Sequence, residues 1–432
     1  MIIKQKVPNN DDKLEANAFK TIIQKQIVKD QVELKHILGT MFTGFGKTYT
    51  TMDCIRELRK IKPDLSVLII VPTIILKEDF EKKLAEHFLF MNYSVQVINS
   101  IVLNNDNHYN YDYLIVDECH NVLNENAEYF SLAIQKVTFT YSMFLSASLK
   151  PEMRRFLDSL LLGKGISSLY NYDLTLYWGK KNGLLPEFQI YSIPLELTSD
   201  EKFTLLEYNS VIKKYQSYFA QFGVYHPFAE FNMNAIASSL GFNVGQVFGM
   251  KNKWIGAYNK RKELLQNSEA KQIALLSIAD LIQEQCLVYH NKIDTITELA
   301  NKIPNSKIYH SKLKKHEKDE VLKHFYNTKD CKLFSIDTLK EGVNIESCSL
   351  AIRMSYNSNS KDLIQQLGRV LRITEDMDKE AILINFVVND FMLRGQLVES
   401  QEKKWLLNSI SGQNNKFITL NELQTILTNR IT

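Results

Sequence analysis

A short run near the start of the chain combines two glycines, a lysine and a threonine: Thr43-Gly44-Phe45-Gly46-Lys47-Thr48. Gly44 and Gly46 allow the backbone to curl, so that successive N–H groups point at one anion. Lys47 is placed to reach the outer phosphates of a nucleotide, and the Thr48 hydroxyl is a ligand for Mg²⁺. The strict pattern GxxxxGK[ST] fails at its first position, which is Met41. A plain glycine turn is the alternative, but the expected strand before the run and helix after it favour a phosphate-binding loop made of all six residues.

Two adjacent carboxylates stand 70 residues beyond the lysine, at the end of an apolar run: Tyr113-Leu114-Ile115-Val116-Asp117-Glu118-Cys119-His120. Open α/β sheets place their ligands at the carboxyl ends of the strands, which is where both acids fall. Asp117 is predicted to hold Mg²⁺, and Glu118 to accept a proton from the attacking water or to orient it. An acidic helix cap after a strand is the alternative, and the phosphate loop in the same lobe argues against it.

These residues require a sheet whose strands end at a common edge. Short apolar runs of the right length recur along the first part of the chain: Ile37–Phe42, Val67–Val71, Val95–Ile98, Tyr113–Val116 and Phe139–Leu145. Polar segments with helical spacing, such as Thr50–Lys60 and Lys77–His87, lie between them. Buried strands that alternate with helices predict an α/β fold, with a parallel sheet covered by helices on both faces.

The strand pattern stops in the middle of the chain and then resumes. Thr198 and Glu201 form a capping-box pattern, and helices are expected from there to Gly223, over Asn234–Leu240 and over Trp254–Leu265. Strand-like runs then return: Cys286–Tyr289, Leu333–Ile336, Leu350–Met354 and Ala381–Phe386. We therefore predict a first lobe (1–195), a helical insertion (196–266), a second lobe (267–390) and a C-terminal helix and tail (391–432).

The composition excludes several classes of protein. The 432 residues include 52 Lys and Arg, 49 Asp and Glu, and 45% hydrophobic residues, which excludes a largely disordered or fibrous chain. No apolar run approaches the ~18 residues of a membrane helix, and we expect no signal peptide and no membrane partner. The five cysteines form no CxxC pair, which indicates neither a disulfide framework nor a zinc site. This cysteine usage fits a reducing cytoplasm. The Asn-, Ile- and Lys-rich composition is typical of an AT-rich genome, so we expect a cytoplasmic protein of a bacterium or a phage-infected host cell.

The two runs resemble motifs I and II of superfamily 2 helicases and translocases, and further motifs follow in the family's order. They are Val71-Pro72-Thr73 (resembling Ia), Val97-Ile98-Asn99-Ser100 (Ib), Ser146-Ala147-Ser148 (III), Leu287-Val288-Tyr289-His290 (IV), Glu341-Gly342-Val343-Asn344 (V) and Gln365-Gln366-Leu367-Gly368-Arg369-Val370-Leu371-Arg372 (VI). The likeness covers about residues 20 to 390.

The resemblance implies two tandem RecA-like parallel-sheet lobes, with ATP and Mg²⁺ bound in the cleft between them. Motif V would bring Gly342 and Asn344 to the nucleotide, although the superfamily usually has aspartate at the second of these positions. From motif VI, Gln365 would line the same cleft. Arg369 and Arg372 are three apart on one expected helical face and would stabilise the charge of the transition state.

The resemblance also implies a nucleic-acid surface, because motifs Ia, Ib, IV and V touch phosphates in the family. Hydroxyl groups contact phosphates without reading sequence. The candidates are Thr73, Ser100, Ser335 and Thr338; the usual motif V threonine falls near Ile336.

Two assignments stay open at this level. The Q motif, which reads adenine in the family, fits Gln24 or Gln26, although both could equally be exposed helix residues. Lys251 and Lys253 lie beside Trp254, a pattern that could bind nucleic acid by charge and stacking. A solvated helix face with its aromatic residues in the core is the alternative, and base rates slightly favour it.

The last expectation concerns the work that the protein performs with ATP. The segment Gly183-Leu184-Leu185-Pro186 and the residues of motif VI resemble the corresponding segments of restriction-type and repair-type DNA translocases. Among these, phage recombination helicases are closest in size and in motif sequence. We expect an ATP-driven DNA helicase or translocase that remodels forked, branched or duplex DNA in replication, recombination or repair, with the C-terminal tail as a candidate site for a protein partner. The alternatives are a motor subunit of a restriction or defence complex, an RNA helicase, and a nucleotide-gated nucleic-acid clamp.

Overall fold

The fold is known from a computed structural model that describes residues 11–88, 91–103, 108–123, 127–185, 188–336, 348–355, 368, 380–409 and 415–430. The first part contains eight strands: β1 (His36–Met41), β2 (Ser66–Val71), β3 (Asn92–Val97), β4 (Tyr109–Asn110), β5 (Tyr113–Val116), β6 (Val137–Thr138), β7 (Tyr141–Ser146) and β8 (Tyr170–Leu174). Six of them form a parallel sheet in the order β3-β2-β5-β7-β1-β8, and β4 pairs separately with β6. The expected parallel sheet is confirmed.

Helices connect these strands and cover both faces of the sheet. They are α1 (Asp11–Leu34), α2 (Lys47–Ile61), α3 (Ile74–His87), α4 (Ile98–Leu103), α5 (Cys119–Val122), α6 (Ala127–Lys136), α7 (Pro151–Leu162) and α8 (Leu176–Lys181). Strand β2 shows why the strands of this sheet appear in the sequence as continuous apolar runs. Val67 and Ile69 point into one hydrophobic cluster and Leu68 and Ile70 into another, because successive side chains of a strand face opposite sides.

The second lobe holds a seven-stranded parallel sheet. Its strands are β9 (Phe188–Leu195), β10 (Cys286–His290), β11 (Ser306–Tyr309), β12 (Lys332–Ile336), β13 (Leu350–Arg353), β14 (Ala381–Val388) and β17 (Asn415–Phe417), in the order β11-β12-β10-β13-β14-β9-β17. A hairpin of β15 (Phe391–Leu393) and β16 (Gln396–Val398) follows β14. The helices are α12 (Glu269–Ile278), a 3₁₀ turn (Ala279–Leu281), α13 (Ile293–Lys302), α14 (Lys315–Asn327), α15 (Gln401–Ser409) and α16 (Leu420–Asn429).

The strand pairing differs from the predicted division at two places. Strand β9, which we assigned to the first lobe, pairs in parallel with β14 over its whole length and belongs to the second sheet. The predicted tail contributes β17, which pairs with β9 at the edge of the same sheet. Both differences have one cause. Strand partners are decided by long-range pairing, which a local apolar run does not reveal.

Between β9 and β10 lies a helical insertion, as expected: α9 (Ser199–Ala220), α10 (Met233–Leu240) and α11 (Val244–Gln266). Helix α9 begins at the predicted capping box, where Thr198 Oγ1 accepts from Glu201 N–H at 3.3 Å and the Glu201 carboxylate accepts from Thr198 N–H at 3.1 Å. Helix α11 begins ten residues earlier than predicted. A second capping box, made by Asn243 and Gln246, starts it and outweighs the glycines that follow.

Within the described residues, no helix is long and apolar enough to cross a bilayer.

Candidate active site

The predicted phosphate loop lies between β1 and α2, at the carboxyl edge of the first sheet. Gly44 and Gly46 have φ values of 92° and 94°, in the left-handed region that disfavours side chains. Gly46 caps α2, whose first residue is Lys47, and Thr48 lies in the first turn. The helix therefore directs its free N–H groups and the positive end of its dipole at the space above the loop. This geometry matches an anion-binding loop.

Lys47 and Glu118 form the central ion pair of this edge. Lys47 Nζ donates to Glu118 Oε1 at 2.8 Å, and both side chains are largely buried. Burial disfavours the charged lysine, but the carboxylates of Glu118 and Asp117 outweigh it and raise the pKa of Lys47. The lysine is therefore fully protonated at neutral pH. Two distant parts of the chain thus place a cation and two carboxylates at one point.

The two carboxylates take different orientations after β5. Asp117 is buried, and its Oδ1 accepts from the backbone N–H of Glu118 at 2.9 Å. Glu118 has φ of 47°, a conformation that non-glycine residues adopt at some energetic cost. This turn sends the two side chains in different directions from adjacent positions. One carboxylate can therefore hold a cation while the other faces the phosphate loop.

A histidine and a serine connect this acidic pair to the next strand. His120 Nδ1 lies 2.7 Å from Ser146 Oγ and 3.3 Å from Glu118 Oε2. Ser146 Oγ also accepts from the backbone N–H of Ser148 at 3.1 Å. Both His120 and Ser146 are buried. The contacts join the end of β5 to the end of β7.

Helix α1 contacts the phosphate loop from the other side. Gln24 Nε2 donates to the carbonyl oxygen of Phe45 at 2.8 Å, whereas Gln26 donates to Asp30 on its own helix at 2.7 Å. Gln24 is therefore the glutamine that contacts the phosphate loop, and its role in reading adenine stays a prediction. Phe19 lies five residues earlier and stacks on Trp178, with ring centroids 6.1 Å apart.

The sequence did not single out Lys20, which also reaches the loop. Lys20 Nζ donates to the carbonyl oxygen of Gly44 at 2.9 Å, and burial lowers the pKa of this lysine. The spacing of four between Lys20 and Gln24 places both on one face of α1. That spacing was visible in the sequence, but nothing in it showed that this face meets the loop.

The second lobe reaches the same loop through Gly368. A Cβ atom at Gly368 would lie 2.3 Å from Thr43 Cβ and 2.6 Å from Thr43 Oγ1, so only glycine fits this approach. The remaining predicted residues of this side lie outside the described residues: Thr338, Gly342, Asn344, Gln365, Arg369 and Arg372. Their roles stay predictions.

The predicted nucleic-acid residues differ in their exposure to solvent. Thr73 caps α3, and Ser100 is exposed on α4, at the carboxyl ends of the neighbouring strands β2 and β3. Ser335 is fully buried in β12, which puts its hydroxyl out of reach of a bound strand and corrects that prediction.

The basic and aromatic residues of α11 divide between core and surface. Trp254 is 1% exposed and stacks on Phe219, with centroids 5.4 Å apart and planes 5° apart, so it is a core residue. Lys253 is exposed, whereas Lys251 donates to the carbonyl oxygen of Ala229 at 3.3 Å and lies partly buried.

Two RecA-like lobes, a phosphate loop paired with an Asp-Glu edge, and an approach of the second lobe to that loop define an ATP-hydrolysing nucleic-acid motor. The matches to known families support a superfamily 2 DEAD/DEAH-like helicase or translocase. Residues 270–374 match the helicase conserved C-terminal domain, and residues 13–108 match the family described as type III restriction enzyme, res subunit.

Individual relatives agree with this assignment. The chain is 23% identical over 404 residues to the DNA 3'-5' translocase XPB2 of Sulfurisphaera tokodaii, covering 87% of this chain and 82% of that protein. It is 28% identical over 131 residues to the ATP-dependent RNA helicase eIF4A of Saccharomyces cerevisiae. This alignment covers 29% of this chain and 32% of that helicase.

Two solved structures share the fold. S. cerevisiae Dbp5 bound to RNA and ADP BeF3 has a TM-score of 0.57 at 11% identity, covering 92% of this chain and 90% of that one. The Hef helicase domain of Pyrococcus furiosus has a TM-score of 0.52 at 13% identity, covering 92% and 99%. The predicted fold class, two tandem RecA-like lobes, is confirmed.

Proposed function

We propose that this protein is an ATP-driven DNA translocase that remodels forked or branched DNA. The hydrolytic part rests on one observation, the convergence of Lys47, Glu118 and Asp117 at the phosphate loop. The choice of DNA is supported by the extent of the alignments. The DNA translocase aligns over most of both chains, whereas the RNA helicase aligns over about a third of each.

The ion pair suggests how ATP binding prepares hydrolysis. Lys47 is the cation that would neutralise the outer phosphates. Its ammonium group would leave Glu118 to bind the phosphates of ATP, and the Glu118 carboxylate would then be free. Glu118 would then accept the proton of the attacking water. Since His120 contacts both Glu118 and Ser146, this change reaches the loop after β7.

The residues around the loop also suit Mg²⁺. A hydroxyl and a carboxylate are hard oxygen ligands of the kind that this ion prefers. Thr48 in the first turn of α2 and Asp117 after β5 would hold it, directly or through water, and it would supply neutralising charge for the phosphates.

The test is the ATPase rate with no nucleic acid, single-stranded DNA, duplex DNA, forked or four-way DNA, and RNA. We expect forked or four-way DNA to stimulate most strongly, and Lys47→Ala to abolish turnover under every condition. Stimulation by RNA alone would overturn the DNA assignment. A rate unaffected by all of them would overturn the nucleic-acid-driven motor itself.

Two other tasks have specific support. The eIF4A alignment favours an RNA helicase. The match of residues 13–108 to a restriction-enzyme subunit favours the motor of a defence complex. The ATPase rates with DNA and with RNA distinguish an RNA helicase from a DNA translocase. The motor of a defence complex would need a partner chain for DNA stimulation, so stimulation of the isolated protein by forked DNA would argue against that function.

A further inference from the structure

The outer part of the insertion carries an excess of positive charge. Of the 54 residues from 209 to 262, seven are Lys or Arg and only Glu230 is acidic, a net charge of +6. The whole chain has a net charge of +3, so the rest of the molecule is net negative. Such a local excess attracts a polyanion, even though the overall charge is near zero.

The same segment exposes aromatic rings that its core does not use. Its core is built around Phe219 and Trp254, whose rings stack, together with Ile212, Ile236 and Val247. Outside this core, Tyr225 is 67% exposed, and Phe228 and Phe248 are each 52% exposed. Large apolar side chains gain by burial, so several exposed rings in one small unit indicate a binding surface.

Two of these exposed rings lie on one face with Lys251 and the partly buried Tyr258, and we call this set the α11 stripe: Phe228, Phe248, Lys251 and Tyr258. The ring centroids of Phe228 and Tyr258 are 5.7 Å apart, and Lys251 Nζ lies 4.6 Å from the ring of Phe231, three residues after Phe228 in the chain. Phe248 and Lys251 are three apart on α11, and Tyr258 is seven further on, a spacing that keeps all three on one side. The stripe is roughly 15 Å long along the helix axis.

Lys253 lies elsewhere on the same helix. Two residues correspond to roughly 200° of rotation about the axis, so Lys253 points away from the stripe that contains Lys251. The chain thus offers two lysines with the same charge, on the same helix, on different faces.

The insertion is fastened to the second lobe. Arg261 lies between two rings, with Cζ 4.9 Å from the centroid of Tyr258 and 5.8 Å from that of Trp405 on α15. Leu205 and Leu265 pack with Val388 and Phe391 in one hydrophobic cluster. Further bonds join Glu269 N–H to Glu201 and Asn291 to Gln266 at 2.8 and 2.6 Å. These contacts connect the insertion that carries the stripe to the second lobe.

We propose that the α11 stripe binds a single-stranded segment of the nucleic acid by stacking on its bases, while the surrounding lysines neutralise its phosphates. Bases are free to stack on protein rings only where the strand is unpaired, which favours a single strand over a duplex. The net positive charge and the exposed rings together suit a nucleic acid better than an acidic protein, whose carboxylates would not use the rings. This inference rests on the proposed nucleic-acid motor and names the part that holds the separated strand.

The test is the affinity of the full chain for a single-stranded oligonucleotide and for the same oligonucleotide with abasic sites. Each ring that stacks on a base contributes to binding, so Phe228→Ala with Phe248→Ala should weaken binding of the normal strand at least roughly tenfold. The abasic strand should bind wild type and variant with similar affinity. Phe203→Ala is the matched control, because Phe203 is 65% exposed at the far end of the same insertion.

The lysine pair gives a second, independent comparison. Lys251→Gln should weaken strand binding more than Lys253→Gln, although each removes one positive charge. ATP turnover without nucleic acid should be unchanged in the phenylalanine variants, since none of these side chains touches the phosphate loop.

Equal affinity of wild type and the double phenylalanine variant for the normal strand would overturn the proposal. So would an equal loss on the abasic strand, because the rings would then not act through bases. Failure of the proposed function looks different. In that case the wild type itself would bind no nucleic acid and its ATPase would not respond to any.

Discussion

Lys47 Nζ and Glu118 Oε1 lie 2.8 Å apart, which joins the phosphate loop to the Asp-Glu edge 71 residues later in the chain. The lysine that should bind ATP is held by the carboxylate that should activate water. The pair would make the two proposed roles mutually dependent, since Glu118 would become available only when another anion takes its place beside Lys47. Each partner can be tested separately.

Replacing Lys47 should remove the phosphate contact and leave Glu118 without its cation. We expect Lys47→Ala to lower the ATPase rate at least ~100-fold, as loss of a charge-stabilising donor does in other enzymes. Lys77→Ala on α3, an exposed lysine that pairs only weakly with Glu81, is the control. A normal rate in Lys47→Ala would disprove the phosphate-loop assignment.

Replacing Glu118 by its amide should separate ATP binding from hydrolysis. Glu118→Gln keeps the side-chain shape but cannot accept a proton, so turnover should fall by roughly 10²–10⁴-fold. Binding of an ATP analogue, measured by calorimetry, should persist. The exposed Glu81→Gln serves for comparison, and unimpaired turnover in Glu118→Gln would show that another group activates the water.

The two glutamines of α1 should differ in their effect on ATP. Gln24→Ala removes the bond to the Phe45 carbonyl oxygen and should raise KM for ATP, whereas Gln26→Ala breaks only a bond within its helix. Steady-state kinetics on both variants measure this. Equal KM values would mean that Gln24 supports the loop without influencing the nucleotide.

A methyl group at Gly368 should hinder the approach of the second lobe to the loop. Gly368→Ala would place a carbon 2.3 Å from Thr43 Cβ, so stimulated ATPase should drop while the separate lobes stay folded. Gly256→Ala on α11 is the matched control, because nothing lies within 4 Å of its added carbon. It should even stabilise the helix by ~0.5–1 kcal/mol. Full stimulated activity of Gly368→Ala would contradict the close approach.

His290 should make folding sensitive to acid. Burial and the nearby Lys271 charge lower the pKa of His290 from 6.5 to about 4, and its Nδ1 accepts from Lys292 N–H at 3.0 Å. A base with a lowered folded-state pKa stabilises the fold above its unfolded pKa. That stability is lost as the pH falls from 6.5 to 4, by roughly 3 kcal/mol at most. Urea unfolding of wild type and His290→Asn across this range checks it, and parallel curves would exclude His290 as the cause.

The phosphate loop and the Asp117-Glu118 pair could be predicted from the sequence because their function depends on local spacing. A glycine turn before Lys47 and Thr48, and Asp117 and Glu118 directly after a buried strand, need only a few neighbouring residues to define them. The alternating apolar runs likewise predicted parallel sheets, since burial on both faces leaves its trace in the composition of each strand.

Other features depend on contacts between residues far apart in the chain, and only the tertiary structure decided them. Local pattern cannot tell that β9 pairs with β14, that Gln24 rather than Gln26 meets the loop, or that Ser335 is buried. It cannot distinguish Trp254, a core ring, from Phe228, an exposed one, because both are aromatic residues within one helical unit. Side-chain type and spacing determine the chemistry that a segment can perform, whereas the packing of distant segments determines which of those side chains face each other and which face solvent.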